Sequence, residues 1–159
     1  MKNIVLIGMP GTGKSTVGKA LAERLGYDFV DADDLIVQTT GKTLPEILRQ
    51  DGLEAFYEIE NKVGTDLNRT HTVIATGGSM VLYPEAMAHL KEGSTVIWLQ
   101  TPFSQLEKRM PADLYDRGIA VPAGTPLREI YEERCVLYAR YADLSLIHIS
   151  EPTRHAQIS

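Results

Sequence analysis

The stretch from Gly8 to Ser15, GMPGTGKS, constrains the fold of this 159-residue chain more than any other feature of its sequence. It matches a glycine, four variable residues, and then Gly-Lys followed by Ser or Thr, a pattern typical of phosphate-binding loops. An apolar run, Asn3–Ile7, precedes it, and a helical pattern, Lys14–Leu25, follows it. Because the motif is meaningful only between a buried strand and a helix, we predict a strand, a phosphate loop and a helix in that order.

The residue types in this loop suit a nucleotide. Glycines allow the backbone to curl so that successive N–H groups point at phosphate oxygens, and the helix N-terminus adds its positive dipole. Lys14 is expected to reach the β- and γ-phosphates, and the Ser15 hydroxyl to coordinate Mg²⁺. We therefore predict ATP and Mg²⁺ as cofactors, held by Gly8, Gly11, Thr12, Gly13, Lys14, Ser15 and Thr16. The alternative is a glycine-rich turn without a ligand.

Beyond this unit, strand patterns and helical patterns alternate along the chain. Further strands are predicted at residues 27–31, 73–75 and 95–99, and further helices at residues 55–69, 87–91, 103–110 and 125–141. Thr43 and Glu46 form a capping box, which predicts the start of a short helix. Alternation of this kind predicts an α/β fold in which helices wrap a parallel sheet.

One stretch, residues 111–124, has neither a helical nor a strand period. It contains two prolines, two glycines and charges of both signs. Aperiodic loops of this length in a compact domain are usually functional, so we predict a lid over a ligand site.

The composition excludes several classes of partner. A net charge of −5 argues against nucleic acid and anionic membrane surfaces, which need clustered Lys and Arg. No apolar run approaches the roughly 20 residues that span a bilayer, and the apolar start is too short for a signal peptide, so we expect a cytoplasmic protein. The four histidines lack the spacing of a metal site, and a single cysteine, Cys135, excludes an internal disulfide.

Two further motifs, Asp31-Ala32-Asp33 and Thr76-Gly77-Gly78-Ser79, follow predicted strands. Together with the phosphate loop, and in the same order, they make residues 1 to about 143 resemble the shikimate kinase family. The resemblance implies a five-stranded parallel sheet flanked by helices on both faces, of the P-loop kinase type. It also implies transfer of the γ-phosphate of ATP to a hydroxyl of a small acid, shikimate first among the candidates, and we expect the protein to act as a monomer. A gluconate-kinase-like enzyme and a non-catalytic nucleotide-binding regulator are the alternatives.

The resemblance gives the acidic and glycine motifs specific roles. Residues i and i+2 of an extended segment face the same way, so Asp31 and Asp33 can point into one cleft. The family pattern assigns Asp31 to Mg²⁺, largely through water, and Asp33 to the acceptor hydroxyls, one of whose protons it can take. A solvated helix start is the alternative, since acids suit the helix dipole. Gly77 and Gly78 are expected to let the acceptor approach the backbone, while Ser79 stands where the family has a third glycine.

Three arginines take roles from the same resemblance. Arg109 is expected to pack against adenine, and Arg117 to close over the transferring phosphate as a catalytic residue beside Lys14. Arg134 interrupts the apolar stripe of its predicted helix, so its guanidinium should point into the protein and needs an anionic partner. That partner is either Glu60, as a structural pair, or the acceptor's carboxylate, as the resemblance implies.

Tyr57 departs from the family pattern, which has an arginine there as a second clamp on the carboxylate. Losing one charge-assisted pair costs about 1.5–3 kcal/mol. Either another arginine compensates, or the acceptor is not shikimate and offers Tyr57 a hydroxyl or a neutral ring, because a phenol both donates and accepts hydrogen bonds.

The end of the chain is unusual. Residues 144–154, LSLIHISEPTR, match the forward-frame translation of a common transposase sequencing adapter. We therefore predict a native kinase domain over residues 1–143, a non-native tail over residues 144–159, and a missing C-terminal helix. A genuine strand and turn is the alternative. The apolar alternation predicts a strand at residues 144–149, with no amphipathic helix after it because of Pro152.

Overall fold

The computed structural model describes residues 2–110, 114–115 and 118–147. Within these ranges, strands and helices alternate along most of the chain. The strands are β1 (Asn3–Ile7), β2 (Asp28–Asp31), β3 (Thr72–Ala75), β4 (Ser94–Gln100) and β5 (Leu144–Ile147). The helices are α1 (Lys14–Leu25), α2 (Ala32–Thr40), α3 (Leu44–Gln50), α4 (Leu53–Asp66), α5 (Pro84–Lys91), α6 (Phe103–Arg109) and α7 (Leu127–Tyr141), with a 3₁₀ turn at Met80–Leu82.

All five strands are parallel and lie in the order β2-β3-β1-β4-β5. Val5 of β1 is in register with Ile74 of β3 on one side and with Val96 of β4 on the other. The carboxyl ends of β1, β3 and β2 are therefore neighbours on one edge of the sheet, which is where open α/β sheets bind ligands. The predicted α/β fold is confirmed.

Helices cover both faces of the sheet because β1 alternates its side chains between two cores. Val5 and Ile7 belong to the larger core, which also holds the apolar side chains of α5 and α7. Leu6 points the other way and packs with Ala22 of α1. The central strand is thus buried on both faces, and the loop that follows it has a rigid base.

α2 is the helix that the sequence patterns did not predict as an element. Its residues include a β-branched pair, Ile36 and Val37, and two threonines, which lower helix propensity. The Asp31 side chain caps its N-terminus by accepting from the backbone N–H of Asp33. The capping box of Thr43 and Glu46 at the start of α3 is confirmed. Tertiary packing forms α2, since Ile36 is fully buried against α3 and α4.

The predicted strand near the end of the chain is confirmed over Leu144–Ile147, which pairs with β4 as an edge strand. Its residues are exposed, with Leu144 at 57% and Ile147 at 69%. Residues 148–159 lie outside the described range, and the predicted absence of a helix there, like the adapter origin of the tail, stays a prediction. Among the helices that the structure describes, none combines the length and the apolar character needed to cross a bilayer.

Candidate active site

A cleft of about 260 Å³ opens at the carboxyl edge of the sheet. The turns after β1, β2 and β3 form its floor, and the segment Gly118–Ala120 of the predicted lid closes part of one side. Most of the sequence-predicted site residues meet here: Gly11, Gly13, Lys14, Ser15, Thr16, Asp31, Asp33, Gly77, Gly78 and Arg134 all line the cleft. The sheet topology brings them together, since they come from four separate parts of the chain.

The phosphate loop contains glycines at positions where a side chain would be strained or would clash. Gly13 has a φ of 84°, in the left-handed region, and directly precedes α1. A Cβ on Gly8 would lie 2.6 Å from the backbone oxygen of Leu99, closer than real contacts allow. No side chain caps the first turn of α1 and no acid lies in it, so its N–H groups remain available for an anion.

Lys14 is buried inside this loop, and its Nζ donates to the carbonyls of Gly8 at 2.7 Å and Met9 at 2.8 Å. Burial lowers the pKa of Lys14 to about 8, although the nearby carboxylates of Asp33 and Asp31 oppose that shift. The Oγ1 of Thr12 is also buried and has no hydrogen-bond partner in the structure. A buried cation beside unused donors fits a phosphate group, so this side of the cleft is prepared for one.

The two metal-site candidates, Ser15 and Asp31, touch each other. The Ser15 hydroxyl donates to Oδ2 of Asp31, and the other carboxyl oxygen of Asp31 accepts from the N–H of Asp33 at 2.8 Å. Among the described residues, no group of three or more His, Cys, Asp or Glu side chains could hold a metal by itself. This hydroxyl and carboxylate fit Mg²⁺, which keeps several waters and takes its remaining ligands from phosphate.

Asp33 lines the cleft from the first turn of α2. Burial, followed by the charge of Asp31, raises the pKa of Asp33 to about 6. A Cβ on Gly77 would lie 2.8 Å from Oδ1 of Asp33 and 2.6 Å from Oε2 of Glu60, so glycine is required where the strand end passes these acids. At neutral pH the Asp33 carboxylate is ionised and suited to accept a proton from a hydroxyl.

Glu60 is the site residue whose contacts the sequence did not reveal. It projects from α4, is 1% exposed, and lines the cleft. Its Oε1 accepts from the hydroxyls of Ser79 and Tyr83. Burial raises the pKa of Glu60 to about 7, and these two hydrogen bonds oppose the rise. The helical pattern of α4 predicts Glu60 on the inner stripe, and this is confirmed. Its hydrogen-bond donors lie about 20 positions further along the chain, so the pattern did not indicate them.

Arg134 is buried, at 2% exposure, as its position in the stripe of α7 predicted. Its Nη2 donates to the carbonyl of Ala120 at 2.8 Å, whereas its Nε has no hydrogen-bond partner. The ion pairs between described residues do not include one between Arg134 and Glu60. The structural-pair interpretation is therefore not supported, and Arg134 faces the cleft with an unused donor.

A family model described as shikimate kinase matches residues 10–157 of the chain. The chain belongs to the shikimate kinase family. It is 40% identical over 146 residues to a shikimate kinase of Synechococcus elongatus, a match that covers 91% of this chain and 76% of that protein. It is 38% identical to a shikimate kinase of Persephonella marina, over 92% and 88% of the two chains.

Solved structures of shikimate kinases share the fold. The enzyme from Acinetobacter baumannii in complex with shikimate has a TM-score of 0.77 and 32% identity, over 92% of this chain and 83% of that one. The enzyme from Aquifex aeolicus has a TM-score of 0.79 and 30% identity, over 94% and 89%. Membership of this family makes ATP and Mg²⁺ the cofactors of this chain, in agreement with the open first turn of α1 and the contact between Ser15 and Asp31.

Arg109, one of the residues with a family-derived role, lies beside the phosphate loop of the shikimate kinase cleft. Arg109 donates to the carbonyl of Gly11 at 2.7 Å and to Oε1 of Gln105 at 3.4 Å, so it packs on the outside of the phosphate loop. Stacking of Arg109 on adenine stays a prediction. Arg117 lies outside the described residues, and so does its predicted closure over the phosphate.

Tyr57 does not line the shikimate kinase cleft. Its hydroxyl donates to the carbonyl of Ala120 at 3.4 Å, and its ring meets the Tyr83 ring edge-on. Ala120 accepts from both Tyr57 and Arg134, so these two side chains together hold this part of the lid segment against α4 and α7. The predicted contact between Tyr57 and an acceptor stays a prediction, while its contact with the lid segment is a new observation.

Proposed function

We propose that this chain transfers the γ-phosphoryl group of ATP to the 3-hydroxyl of shikimate. The observation that carries the proposal is that one cleft combines an open phosphate loop, the partly buried carboxyl of Asp33, and the buried Arg134 with an unpartnered Nε. The loop suits the phosphates of ATP, Asp33 suits a hydroxyl of shikimate, and Arg134 suits the carboxylate of shikimate. The similarity to shikimate kinases of several organisms supports the choice of acceptor.

The residues of the cleft have separate roles in the transfer, and these roles follow from their positions and charges. Lys14 and the N–H groups that begin α1 hold the phosphates, and Ser15 and Asp31 provide the ligands for the metal. ATP supplies the phosphoryl group, and the Mg²⁺ bound with it would offset part of the negative charge of the phosphates. Asp33 accepts the hydrogen bond of the acceptor hydroxyl and takes its proton as the new P–O bond forms and the bond to ADP breaks.

Arg134 binds the acceptor's carboxylate in this proposal. Among the described residues, the cationic side chains that line the cleft are those of Lys14 and Arg134. Because residue 57 is a tyrosine where the family pattern has an arginine, the carboxylate has one described arginine instead of two. The resulting loss of about 1.5–3 kcal/mol predicts a raised KM for shikimate compared with a two-arginine site.

ADP release coupled to a spectroscopic assay tests the proposal, with shikimate, gluconate and no acceptor as parallel arms. We expect ADP release that depends on shikimate, a rise in KM for shikimate of about 30-fold in Arg134→Ala, and a fall in kcat of about 100-fold or more in Asp33→Asn. Arg128→Ala is the matched control, because Arg128 lies on α7 and pairs with Glu132 on the surface. ADP release that ignores shikimate, or that needs gluconate instead, would contradict the proposal.

We also infer that one copy of the chain suffices and that it works in the cytoplasm. The cleft brings together the phosphate loop, Asp33 and Arg134, which carry the proposed chemistry, within one chain, and the one cysteine is a free thiol, which suits a reducing compartment. Light scattering on the active protein should give the mass of a monomer, whereas activity confined to a dimer fraction would contradict the first inference.

A further inference from the structure

The carboxyl group of Glu60 is held at one oxygen and open at the other. Its Oε1 accepts from the Ser79 hydroxyl and from the Tyr83 hydroxyl, at 2.7 Å for the latter. Both donors come from the segment that follows β3, whereas Glu60 comes from α4. Two donors on one oxygen leave little freedom to the carboxyl plane, because rotation would break both bonds at once.

The free oxygen, Oε2, lies beside the acceptor-binding carboxyl of Asp33. The position that a Cβ on Gly77 would occupy is 2.6 Å from Oε2 of Glu60 and 2.8 Å from Oδ1 of Asp33. The two oxygens are therefore separated by no more than about two hydrogen-bond lengths. Neighbouring hydroxyls of one molecule can reach both oxygens from that distance.

We propose that Ser79 and Tyr83 are positioning residues of the acceptor site, which hold Glu60 so that its Oε2 accepts a hydrogen bond from a second acceptor hydroxyl next to the one that Asp33 binds. The proposal rests on the proposed function and narrows it. An acceptor needs a carboxylate and at least two adjacent hydroxyls to use the whole site. An acid with a single hydroxyl would cover Oε2 in the occupied cleft without offering it a donor, which is costly.

The surroundings of Glu60 explain why it needs these donors. The titratable and charged groups that face it are Asp33, Lys14, Arg134, Tyr57, Tyr83 and Tyr138. Burial favours the neutral acid, whereas the hydroxyls of Ser79 and Tyr83 favour the carboxylate that can accept from a substrate. Without those donors, the pKa of Glu60 would rise and less of the accepting form would exist at neutral pH.

Steady-state kinetics with ATP and shikimate test the proposal in Tyr83→Phe, Ser79→Ala and the double variant. We expect KM for shikimate to rise about fivefold in each single variant and about 20-fold in the double variant, with KM for ATP and kcat within twofold of wild type. Tyr27→Phe and Ser94→Ala are matched controls, because both residues lie at the opposite edge of the sheet, beside the amino ends of β2 and β4. The controls should leave all three constants unchanged.

The same substitutions in a Glu60→Gln background separate positioning from packing. If Ser79 and Tyr83 act through the Glu60 carboxyl, Tyr83→Phe adds less than twofold to KM once Glu60 is an amide. An effect of the same size in both backgrounds would overturn the proposal. So would a loss of thermal stability in Tyr83→Phe and Ser79→Ala with KM for shikimate unchanged.

A second readout needs no turnover. In protein labelled with ¹³C at the glutamate carboxyls, the Glu60 resonance is the one missing from Glu60→Gln, and its midpoint should move up by about one pH unit in Tyr83→Phe. An unmoved midpoint would overturn the positioning role. If wild type released no ADP with shikimate, the proposed function would fail, and this titration would still decide whether Ser79 and Tyr83 control Glu60.

Discussion

The two halves of the cleft are built in different ways. The phosphate side comes from one contiguous stretch, residues 8–16, whose glycines and helix start create the binding groups locally. The acceptor side collects Asp33, Glu60, Gly77, Ser79 and Arg134 from distant parts of the chain. The difference teaches that a binding loop made of backbone groups can be recognised from its own sequence, whereas a site made of side chains depends on which elements the fold brings together.

The largest effect should follow a change on the phosphate side. Lys14→Met should lower kcat/KM about 1,000-fold for every acceptor, because the lysine offsets charge on the phosphates themselves. Binding of shikimate, measured by calorimetry without nucleotide, should change less than threefold. Lys19→Met, on the exposed face of α1, is the control. Near-wild-type turnover in Lys14→Met would exclude this mechanism.

Two neighbouring glycines allow the halves to be perturbed separately. Gly77→Ala would place a Cβ against Glu60 and Asp33, and should raise KM for shikimate roughly 50-fold. Gly78→Ala would place a Cβ 2.6 Å from Cδ of Pro10, and should displace the phosphate loop and raise KM for ATP instead.

Gly93→Ala serves as the control for these two variants, since Gly93 has a positive φ but open space around it. Gly93→Ala should lower the free energy of unfolding by about 1 kcal/mol and leave KM for shikimate and KM for ATP unchanged. Equal effects of Gly77→Ala and Gly78→Ala on both substrates would show that the two halves are not separable.

Glu60, on the acceptor side of the cleft, should cause the free energy of unfolding to fall as the pH rises. Glu60 has an ordinary pKa of 4.5 when unfolded and about 7 when folded, so the folded state binds the extra proton between these values. Stability from this group is therefore full below about pH 4.5 and is lost as the pH rises through about 7.

Chemical denaturation at pH 5 and pH 8 measures this linkage. Because of Glu60, the free energy of unfolding of the wild type should be higher at pH 5 than at pH 8 by on the order of 2 kcal/mol. Glu60→Gln should remove this contribution. Glu54→Gln, on the same helix but exposed, is the control. An unchanged pH profile in Glu60→Gln would show that Glu60 does not titrate near neutral pH.

The smallest effect is expected at Tyr57. Tyr57→Arg should lower KM for shikimate about fivefold to tenfold, because a second guanidinium near Ala120 could share the carboxylate with Arg134. Tyr57→Phe should change it less than twofold, since the hydroxyl contact at 3.4 Å is long. If wild type already binds shikimate tightly and Tyr57→Arg weakens binding, Tyr57 itself belongs to the acceptor site.

Sequence patterns predicted the fold better than the acceptor site. The strands β1 to β4 lie where short apolar runs predicted them, within one or two residues, and α4 begins two residues earlier than predicted and ends three residues earlier. α2 was missed because its β-branched residues obscure the helical period and its stability comes from Ile36 in the core. Ser79 was noted only as a replaced glycine, since its hydrogen bond to Glu60 spans 19 positions.

The sequence by itself determined the phosphate loop, the alternation of strands and helices, and the family, because these depend on local backbone geometry and on motifs within a few residues. Only the tertiary structure decided that Arg134 faces the cleft without Glu60 as an ion-pair partner and that Tyr57 turns to Ala120. Those outcomes depend on how buried polar groups compete for partners across α4, α7 and the turn after β3. Competition of this kind is settled by distance in space, and sequence separation does not reveal it.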